Sequence, residues 1–371
     1  MAECGDTKGS ACCGGGGEPV PDDFGYGPAP YLDGAVDTLV GPVPRVRTDI
    51  TREDRLGGLR MRANIGRGLY RVRPGLYAVG DPDDTAPVLV TANYKLTFDA
   101  LRRELGGRDV WLLVLDTRGV NVWCAAGKGT FGTDELVRRV RDVRLEQIVS
   151  HRKLVLPQLG ATGVSAHAVR ERTGASVVWG PVRASDVPAF LDAGLKATPA
   201  MRRVTFDFAE RARLVGVELS ALWRPQVLVG VAAYLAITDA WRPIVEGRIL
   251  ATPSGIALVT LLVSLVAGAA IVPLLLPWIP GRAFALKGGI VGALAAASVV
   301  AIAGGRSSTV GLAGMALVGT ALASYIAMNF TGSSTFTSPS GVEWEMRRAI
   351  PLQIVGVVAG VVMYAAATIP G

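Results

Sequence analysis

Residues 110–116 read Val110-Trp-Leu-Leu-Val-Leu-Asp116, a continuous apolar run that ends at an acid. Such a run is typical of a strand buried on both faces of a parallel sheet. Strand and helix patterns alternate around it, which predicts a Rossmann-like α/β domain over residues 45–215. Ligands of such sheets bind in the loops at the carboxyl ends of the strands. We predict strands at 69–79, 88–91, 110–115, 119–123, 154–156 and 176–179, and helices at 52–63, 97–105, 134–148 (with Thr133 as N-cap), 164–172 and 187–191.

The overall composition averages two unlike parts. The chain has 371 residues, of which 50% are hydrophobic and 19% are charged, whereas a soluble domain carries roughly 25% charged residues. Residues 1–220 contain 57 Asp, Glu, Lys and Arg residues, but residues 221–371 contain only 12. Because half of the residues favour burial, disorder over the whole chain is excluded. The net charge of +7 is not gathered into a basic run, so we expect no nucleic-acid partner.

The second part, residues 222–371, is predicted to be an all-α transmembrane domain of about five helices in contact with membrane lipid. Lys and Arg residues number seven in the loops on the side of the α/β domain and three on the other side, which predicts that the α/β domain is cytoplasmic. The sequence leaves two roles open for these helices, a membrane anchor and a transport path. The predicted spans are Gln226–Trp241, Gly255–Trp278, Lys287–Gly304, Thr309–Phe330 and Ile350–Ile369.

The first 30 residues form a tail rich in glycine and cysteine, which we expect to be disordered. Cys4, Cys12 and Cys13 lie in this tail, and four cysteines in the whole chain are too few for a disulfide-stapled scaffold. Soft metals prefer thiolate ligands. These three thiols are therefore candidate ligands for a soft metal ion, or else an incidental feature of the tail.

The loop at residues 119–132 contains a single cysteine, Cys124, among small residues. Ala125, Ala126 and Gly127 would let a large flat ligand lie against the backbone. The start of a helix and the nearby Lys128 both favour the thiolate form of a cysteine. Cys124 is thus a candidate thiolate ligand or nucleophile, with a buried structural cysteine as the alternative. His151 and His167 belong to no spaced set of metal ligands, and we expect ordinary surface or loop positions for them.

The string Asn121-Val-Trp-Cys-Ala-Ala-Gly-Lys128 resembles the signature of the mercury-methylating corrinoid proteins of anaerobes, the HgcA family. That family's corrinoid domain is in turn similar to the large subunit of the corrinoid iron–sulfur protein of the acetyl-CoA pathway. The resemblance extends from about residue 45 to the C-terminus. It is also carried by Thr91–Phe98, Leu113–Thr117, Ser150–Arg152, Pro157–Gly160, Gly180–Asp186, Asn329–Ser334 and Thr337–Gly341.

The resemblance implies that Cys124 is the lower axial ligand of the cobalt in a bound corrinoid (cobalamin). It implies a methyltransferase that passes a methyl group from this Cys-ligated methylcorrinoid to Hg(II), forming methylmercury. A membrane-anchored methyl carrier of one-carbon metabolism with another native acceptor is the alternative, and a membrane-anchored thiol metal-binding or redox-sensing protein without turnover is a third. Candidate cofactor-binding residues are Asn121, Val122, Trp123, Cys124, Ala125, Ala126, Gly127, Lys128, Thr91, Thr97, Gly180 and Pro181.

The resemblance also implies partners. A ferredoxin-like protein with two [4Fe–4S] clusters would supply the electrons that restore Co(I), and a one-carbon donor or its methyltransferase would supply the methyl group. The acetyl-CoA pathway subunit carries its own four-cysteine cluster domain. Cys4, Cys12 and Cys13 do not match its spacing, which puts an acetyl-CoA pathway role in doubt.

Overall fold

The computed structural model describes residues 29–63, 65–66, 70–223, 225–238, 241–303, 308–330 and 339–368. These residues form two compact units. The first unit contains the sheet and ends at Arg203, and the second begins at Val204 and also includes the segment Leu59–Ile65. The predicted tail and its cysteines, Cys4, Cys12 and Cys13, lie outside the described residues.

The first unit is built on one seven-stranded mixed sheet in the order β1-β2-β3-β5-β4-β6-β7. Neighbouring strands among β4, β5, β6 and β7 are parallel, whereas β3 runs antiparallel to β5 and β1 antiparallel to β2. The predicted α/β class is confirmed, although the sheet is mixed. The strands are β1 (Leu32–Thr38), β2 (Gly41–Val46), β3 (Gly75–Val79), β4 (Val88–Ala92), β5 (Val110–Leu115), β6 (Lys153–Leu156) and β7 (Ser176–Trp179).

Both faces of the sheet are covered, as the apolar run in β5 predicts. All six residues of β5 are buried. Trp111, Leu113 and Leu115 belong to one hydrophobic core, while Val110, Leu112 and Val114 belong to the core on the opposite face. This alternation follows from the two-residue repeat of a strand.

Helices of the first unit follow the strands and cover the sheet. Three predicted elements differ from the structure, one of them the strand expected at 119–123, where a helix begins at Val122. The strand expected at 69–79 is limited to Gly75–Val79, and the helix expected at 134–148 ends at Asp142 and is followed by a short 3-10 turn, Leu145–Gln147. The helices are α1 (Arg52–Arg62), α2 (Lys95–Arg103), α3 (Val122–Gly127), α4 (Thr133–Asp142), α5 (Ala166–Thr173) and α6 (Val187–Asp192).

The second unit is helical, and four of its helices in the described part of the chain are long and apolar enough to cross a membrane. Four of the five predicted spans are confirmed by helix length and composition. The first, Gln226–Trp241, stays a prediction, because α8 covers Pro225–Thr238 and residues 239–240 lie outside the described part of the chain. The four spans are Pro253–Leu275, Phe284–Ala303, Thr309–Asn329 and Gly341–Ala367. The helices are α7 (Phe208–Leu219), α8 (Pro225–Thr238), α9 (Trp241–Val245), α10 (Pro253–Val266), α11 (Val272–Leu275), α12 (Phe284–Ala303), α13 (Thr309–Asn329) and α14 (Pro339–Thr368), with a π-helical turn at Ala267–Ile271 between α10 and α11.

Glycines allow the long helices of the second unit to pack closely, as small residues do between membrane helices. A Cβ placed on Gly314 of α13 would lie 2.5 Å from the carbonyl oxygen of Gly360 on α14. A Cβ on Gly288 of α12 would lie 2.6 Å from the carbonyl oxygen of Ala323 on α13. Residues 331–346 are polar and rich in Ser and Thr, which predicts a loop between the last two spans, but α14 already begins at Pro339.

Candidate functional site

The turn that leaves β5 is built around the buried side chain of Asn93, which follows β4. The amide oxygen of Asn93 accepts hydrogen bonds from the backbone N–H of Thr117 (3.0 Å), the Thr117 hydroxyl (2.9 Å) and the backbone N–H of Gly119 (2.9 Å). Its amide nitrogen donates to Asp116 at 3.0 Å. Gly119 has a φ of +72°, which glycine adopts without strain. Asn93 therefore fixes the path of the chain from β5 into the next helix.

The helix that follows this turn, α3, carries Cys124 in its first turn. Asn121 is its N-cap, and the side-chain oxygen of Asn121 accepts a hydrogen bond of 2.9 Å from the backbone N–H of Cys124. The predicted strand at 119–123 is wrong, because this cap and the turn before it start a helix at Val122. The expectation that Cys124 lies at the start of a helix is confirmed.

The inner side of α3 is tightly packed. Val122, Ala125 and Ala126 are buried. A Cβ on Gly163 would collide with the carbonyl oxygen of Phe131 and would lie 2.9 Å from the Cα of Ala126. The N–H groups of Thr130 and Phe131 both donate to the carbonyl oxygen of Ala125. The buried side of α3 thus packs closely against the backbone of the neighbouring segments.

The outer side of α3 is open. Cys124 is a free thiol and is half-buried, as is Trp123, while Gly127 and Lys128 are exposed. A Cβ built on Gly127 or Gly129 would meet no atom within 4 Å. Lys128 is joined to Cys124 through the backbone, its N–H donating to the cysteine carbonyl at 3.1 Å. The arrangement leaves space beside Cys124 for a large ligand, while the packed base holds the backbone in place.

The next helix, α4, is tied to the same turn by Glu135. Its carboxylate accepts hydrogen bonds from the backbone N–H of Asp116 (2.8 Å) and from Arg139 (2.8 Å). Burial alone would raise the pKa of Glu135, but these hydrogen bonds and those from Arg138 outweigh burial and lower it. The N-cap of α4 is Gly132, so the prediction that Thr133 is the cap is wrong. The Thr133 hydroxyl instead accepts from the backbone N–H of Ser165.

The remaining predicted site residues lie along the carboxyl edge of the parallel strands. Thr91 is buried within β4, opposite Val114 of β5, and Thr97 is half-buried in the first turn of α2. Gly180 follows β7, its N–H donates to the carbonyl oxygen of Leu156, and Pro181 accepts a hydrogen bond from the N–H of Gln158. None of the hydrogen bonds described for these four residues joins them to α3. The structure therefore places Asn121 to Lys128 in α3 and its two caps, whereas Thr91, Thr97, Gly180 and Pro181 belong to other elements and loops.

The two histidines occupy ordinary positions. His151 contacts the carbonyl oxygen of Ala86 at 2.9 Å, and the side chain of His167 is 92% exposed on α5. The structure also reveals positioning residues that the sequence prediction missed, namely Asn93 and Gly163. Asn93 lies within the quoted motif Thr91–Phe98 and directly follows a buried strand, which was the available signal.

Comparison with known proteins shows that part of the chain is similar to subunits of acetyl-CoA decarbonylase/synthase complexes and to a corrinoid/iron-sulfur protein large subunit. Residues 59–191, which include α3, match the family described as CO dehydrogenase/acetyl-CoA synthase delta subunit. The acetyl-CoA decarbonylase/synthase complex subunit gamma of Methanopyrus kandleri is 37% identical over 123 residues, which are 33% of this chain and 26% of the relative. The same subunit of Archaeoglobus fulgidus is 34% identical over 124 residues, again 33% of this chain and 26% of the relative.

The corrinoid/iron-sulfur protein large subunit of Moorella thermoacetica is 31% identical over 127 residues, 34% of this chain and 28% of the relative. The chain thus spans about a quarter of the length of these relatives. The matched family region ends at residue 191, before the first helix that is long and apolar enough to span a membrane. The similarity therefore extends over residues 59–191, which include α3, and it leaves the four spans outside it.

Proposed function

We propose that the first unit binds a corrinoid through the Cys124 thiolate and transfers a methyl group to Hg(II), forming methylmercury. The observation that carries the proposal is the placement of Cys124 on the open side of α3, a helix whose other side is packed on backbone. The motif Asn121–Lys128, with its resemblance to the mercury-methylating proteins, supports the choice of acceptor.

The residues around Cys124 fit a large, flat macrocycle. Gly127 and Gly129 face open space, and Ala125 and Ala126 add little bulk to the helix. Asn121 uses its side-chain oxygen to cap the helix, so we assign it to positioning Cys124. Cys124 would hold the cobalt, and Trp123, Gly127 and Lys128 would flank the ring. When bound, the corrinoid supplies a transferable methyl group on cobalt.

The chemical task of Cys124 follows from the acceptor. Hg(II) is an electrophile, so it requires the methyl group as a carbanion or radical equivalent. A thiolate pushes electron density onto a metal, as a cysteine ligand does on haem iron. The Cys124 thiolate would therefore make a cobalt-bound methyl group easier to transfer with electrons than a neutral protein ligand would.

The reaction needs partners outside this chain. We propose a ferredoxin-like protein with two [4Fe–4S] clusters as the reductant, and a one-carbon methyl donor or its methyltransferase as the source of the methyl group. We further propose that Cys4, Cys12 and Cys13 capture Hg(II) for delivery, since soft metals prefer thiolates. Removal of residues 1–20 should then weaken Hg(II) binding by the full chain. If Hg(II) binding were unchanged, the tail would have no part in capturing Hg(II).

The location that we propose is the cytoplasmic membrane, with the first unit on the cytoplasmic side. Four helices of suitable length and composition support the membrane assignment. The excess of Lys and Arg in the loops on that side supports the orientation. Protease accessibility of the first unit in inverted and right-side-out membrane vesicles tests it, because only inverted vesicles should allow cleavage.

A second candidate is a membrane-anchored corrinoid methyl carrier of one-carbon metabolism with another native acceptor. The specific observation in its favour is the similarity of residues 59–191 to subunits of acetyl-CoA decarbonylase/synthase complexes. Competition between Hg(II) and a thiol acceptor, at equal concentrations and with the same loaded protein, separates the two candidates. Transfer to the thiol in preference to Hg(II) would favour the carrier.

The proposed function is tested with the full chain under anaerobic conditions, with corrinoid, a low-potential reductant, a methyl donor and Hg(II). The wild-type protein should bind corrinoid and form methylmercury. Cys124→Ala and Cys124→His should lose methylmercury formation even where corrinoid remains bound. Full methylation by either variant would overturn the proposal.

A further inference from the structure

A groove of about 750 Å³ lies in the second unit, between the span that contains α10 and α11 and the span formed by α12. One wall includes Leu262, Val266 and Ile271, and the other includes Ile290 and Leu294. Leu262 and Val266 are each 42% exposed and Leu294 is 66% exposed, so the groove is open along its side. Because both walls belong to membrane spans, the medium that meets this opening is lipid.

The wall on the side of α10 is irregular where it borders the groove. A π-helical turn, Ala267–Ile271, interrupts the helix, and Pro273 follows in the first turn of α11. Both ends of the π-helical turn line the groove. Its other side packs on α13, since a Cβ on Gly268 would lie 2.7 Å from the carbonyl oxygen of Ala323. Single π-helical turns are frequent at functional sites, which favours a ligand in this groove over an incidental gap between helices.

The groove has the depth of one acyl chain. From Ile290 to Ser298, which both line it, α12 rises about 12 Å at 1.5 Å per residue. The hydrocarbon of one leaflet is about 15 Å thick, half of the whole core. The hydroxyl of Ser298 donates to the carbonyl oxygen of Leu294 at 2.8 Å, so it offers no free hydrogen to a ligand. The walls therefore suit a hydrocarbon chain.

The mouth of the groove lies at a membrane surface. It is lined by Trp278, Ile279 and Pro280, which belong to the turn between two consecutive spans. Tryptophan is enriched at the level of the lipid headgroups, and the side chain of Trp278 is 67% exposed. Arg282, two residues beyond Pro280, is exposed as well. The mouth thus has an aromatic and a cationic side chain at the depth of lipid headgroups.

Two buried cations lie beneath this mouth. Arg211 of α7 is 4% exposed, and Lys287 of α12 is 8% exposed. Arg211 donates to the carbonyl oxygen of Leu274 at 3.3 Å, and its guanidinium lies 5.7 Å from the ring centre of Trp278. The ammonium of Lys287 donates to the carbonyl oxygen of Ile279. Both cations therefore contact the end of α11 or the turn that forms the mouth.

The hydrogen bonds described for these two cations all go to backbone carbonyl oxygens. The buried Nε of Arg211 has no hydrogen-bond partner in the described part of the chain. Neutral carbonyl groups satisfy a donor but leave its charge without a counter-ion. A charge at the border of the hydrocarbon is costly in that state, so the mouth favours an anion.

The acids of this region have partners of their own. Asp207 and Glu210 form the capping box at the start of α7. Glu345 of α14 accepts from the backbone N–H of Ala285 in the first turn of α12. An anion for the mouth therefore has to come from a bound ligand.

We propose that this groove binds one anionic phospholipid, with an acyl chain along α12 and the phosphate at the mouth beside Arg282. Arg211 and Lys287 attract the phosphate from beneath, where the low dielectric lets charges interact more strongly than in water. Phosphatidylglycerol brings the required negative charge, whereas phosphatidylcholine is neutral overall. A second copy of this chain would bring no anion, because the large side chains exposed on its spans are apolar.

The test uses the full chain in nanodiscs with equal amounts of phosphatidylglycerol and phosphatidylcholine that carry the same acyl chains. Native mass spectrometry after release from the discs counts the lipids that each chain retains. Leu294→Trp fills the groove, and Leu352→Trp is the matched control, because Leu352 is 73% exposed on another span. Arg282→Gln removes the cation at the mouth, and Arg248→Gln is its control, because Arg248 is exposed away from the groove.

The wild-type chain should retain one phosphatidylglycerol, several-fold in preference to phosphatidylcholine. Leu294→Trp and Arg282→Gln should each lower this preference at least threefold, and the two controls should keep it. Equal retention of the two lipids by the wild type would overturn the proposal, as would a preference that survives in Leu294→Trp or in Arg282→Gln. Release as dimers that Leu294→Trp dissociates would assign the groove to a second copy and would also overturn it.

Arg211→Gln tests the buried cation by a readout that does not depend on the variant's own stability. A ligand that binds the folded state raises Tm, so the wild type should have a higher Tm in phosphatidylglycerol than in phosphatidylcholine. The rise should be smaller in Arg211→Gln, whatever its Tm in phosphatidylcholine. An equal rise in both proteins would contradict the proposal.

Discussion

The side-chain oxygen of Asn121 accepts a hydrogen bond of 2.9 Å from the backbone N–H of Cys124. The N–H groups of the first turn of a helix have no partner within the helix, so Asn121 satisfies one of them at the residue proposed to bind cobalt. The cap therefore links the start of α3 to the position of the thiol.

Replacement of Asn121 by alanine should loosen the first turn of α3. Loss of an N-cap of this type costs about 1 kcal/mol of stability, and the larger effect should be on the ligand, because the backbone of Cys124 loses its anchor. Asn121→Ser, which keeps a capping oxygen, is the matched control. Thermal unfolding and the visible spectrum of added corrinoid check both expectations. Equal corrinoid binding by both variants and the wild type would contradict a positioning role.

Two glycines probe the two sides of α3: Gly163 packs against its buried side, and Gly127 lies on its open side. Gly163→Ala should destabilise the first unit, because its Cβ would meet the backbone of Phe131 and of Ala126. Gly127→Ala adds a Cβ to open space and should leave stability unchanged or raise it by up to about 1 kcal/mol, because alanine is the better helix former.

The same pair distinguishes folding from ligand binding. If a corrin ring lies over Gly127, Gly127→Ala should weaken corrinoid binding without a loss of stability. Thermal unfolding and corrinoid titration on the same samples provide both readouts. Unchanged corrinoid affinity in Gly127→Ala would show that the ring does not lie there.

Asn93→Ala should leave the N–H groups of Thr117 and Gly119 without their acceptor. An unsatisfied buried donor costs about 1–3 kcal/mol, so the first unit should lose stability by at least that amount. Hydrogen exchange should rise most in the turn after β5 and in α3. If exchange rises uniformly over the unit, Asn93 supports the fold as a whole and has no specific part in holding α3.

Much of the first unit could be predicted from hydrophobic pattern. β5, β6 and β7 were predicted within a residue or two, because each is a short apolar run, and the run in β5 is continuous because that strand is buried on both faces. The antiparallel neighbour of β5 could not be predicted, since strand order depends on contacts between distant segments. The short helix α3 was misread in part as a strand, because Val120, Val122 and Trp123 have high strand propensity. The cap at Asn121 and the turn held by Asn93 determine the local structure instead.

Of the candidate site, only the central motif Asn121–Lys128 was predicted from the sequence. The motif around Cys124 was visible in the sequence, but the residues that hold it come from elsewhere in the chain. Asn93 lies 31 residues before Cys124 and Gly163 lies 39 residues after it. In the second unit, composition alone predicted the four spans found in the described residues, whereas the span at 226–241 stays a prediction.

The buried carboxylate of Asp54 predicts a pH dependence of stability. Burial alone would raise its pKa, but hydrogen bonds from Lys95 and from the N–H of Thr51, with the charges of Lys95 and Arg102, outweigh burial and lower it from 3.8 to about 2. A carboxyl group whose pKa is lower in the folded than in the unfolded state stabilises the fold at pH values above its unfolded-state pKa. This stabilisation is lost as the pH falls through the folded-state pKa.

The stabilisation contributed by ionised Asp54 should therefore be complete above about pH 4 and should vanish as the pH falls through about 2. Asp54→Asn removes the ionisable group, so the free energies of unfolding of the wild type and the variant should converge as the pH falls over this interval. Denaturant unfolding of both proteins at several pH values measures the difference. A difference that does not change between pH 5 and pH 2 would contradict the assigned ion pairs.

Cobalt K-edge X-ray absorption of the corrinoid-loaded full chain tests the central claim most directly, because it reports the atoms bound to cobalt. The wild-type protein should show a sulfur neighbour at cobalt, and Cys124→Ala, loaded to the same level, should show none. Identical spectra for the two proteins, or a wild-type spectrum without sulfur, would contradict the assignment of Cys124 as the axial ligand.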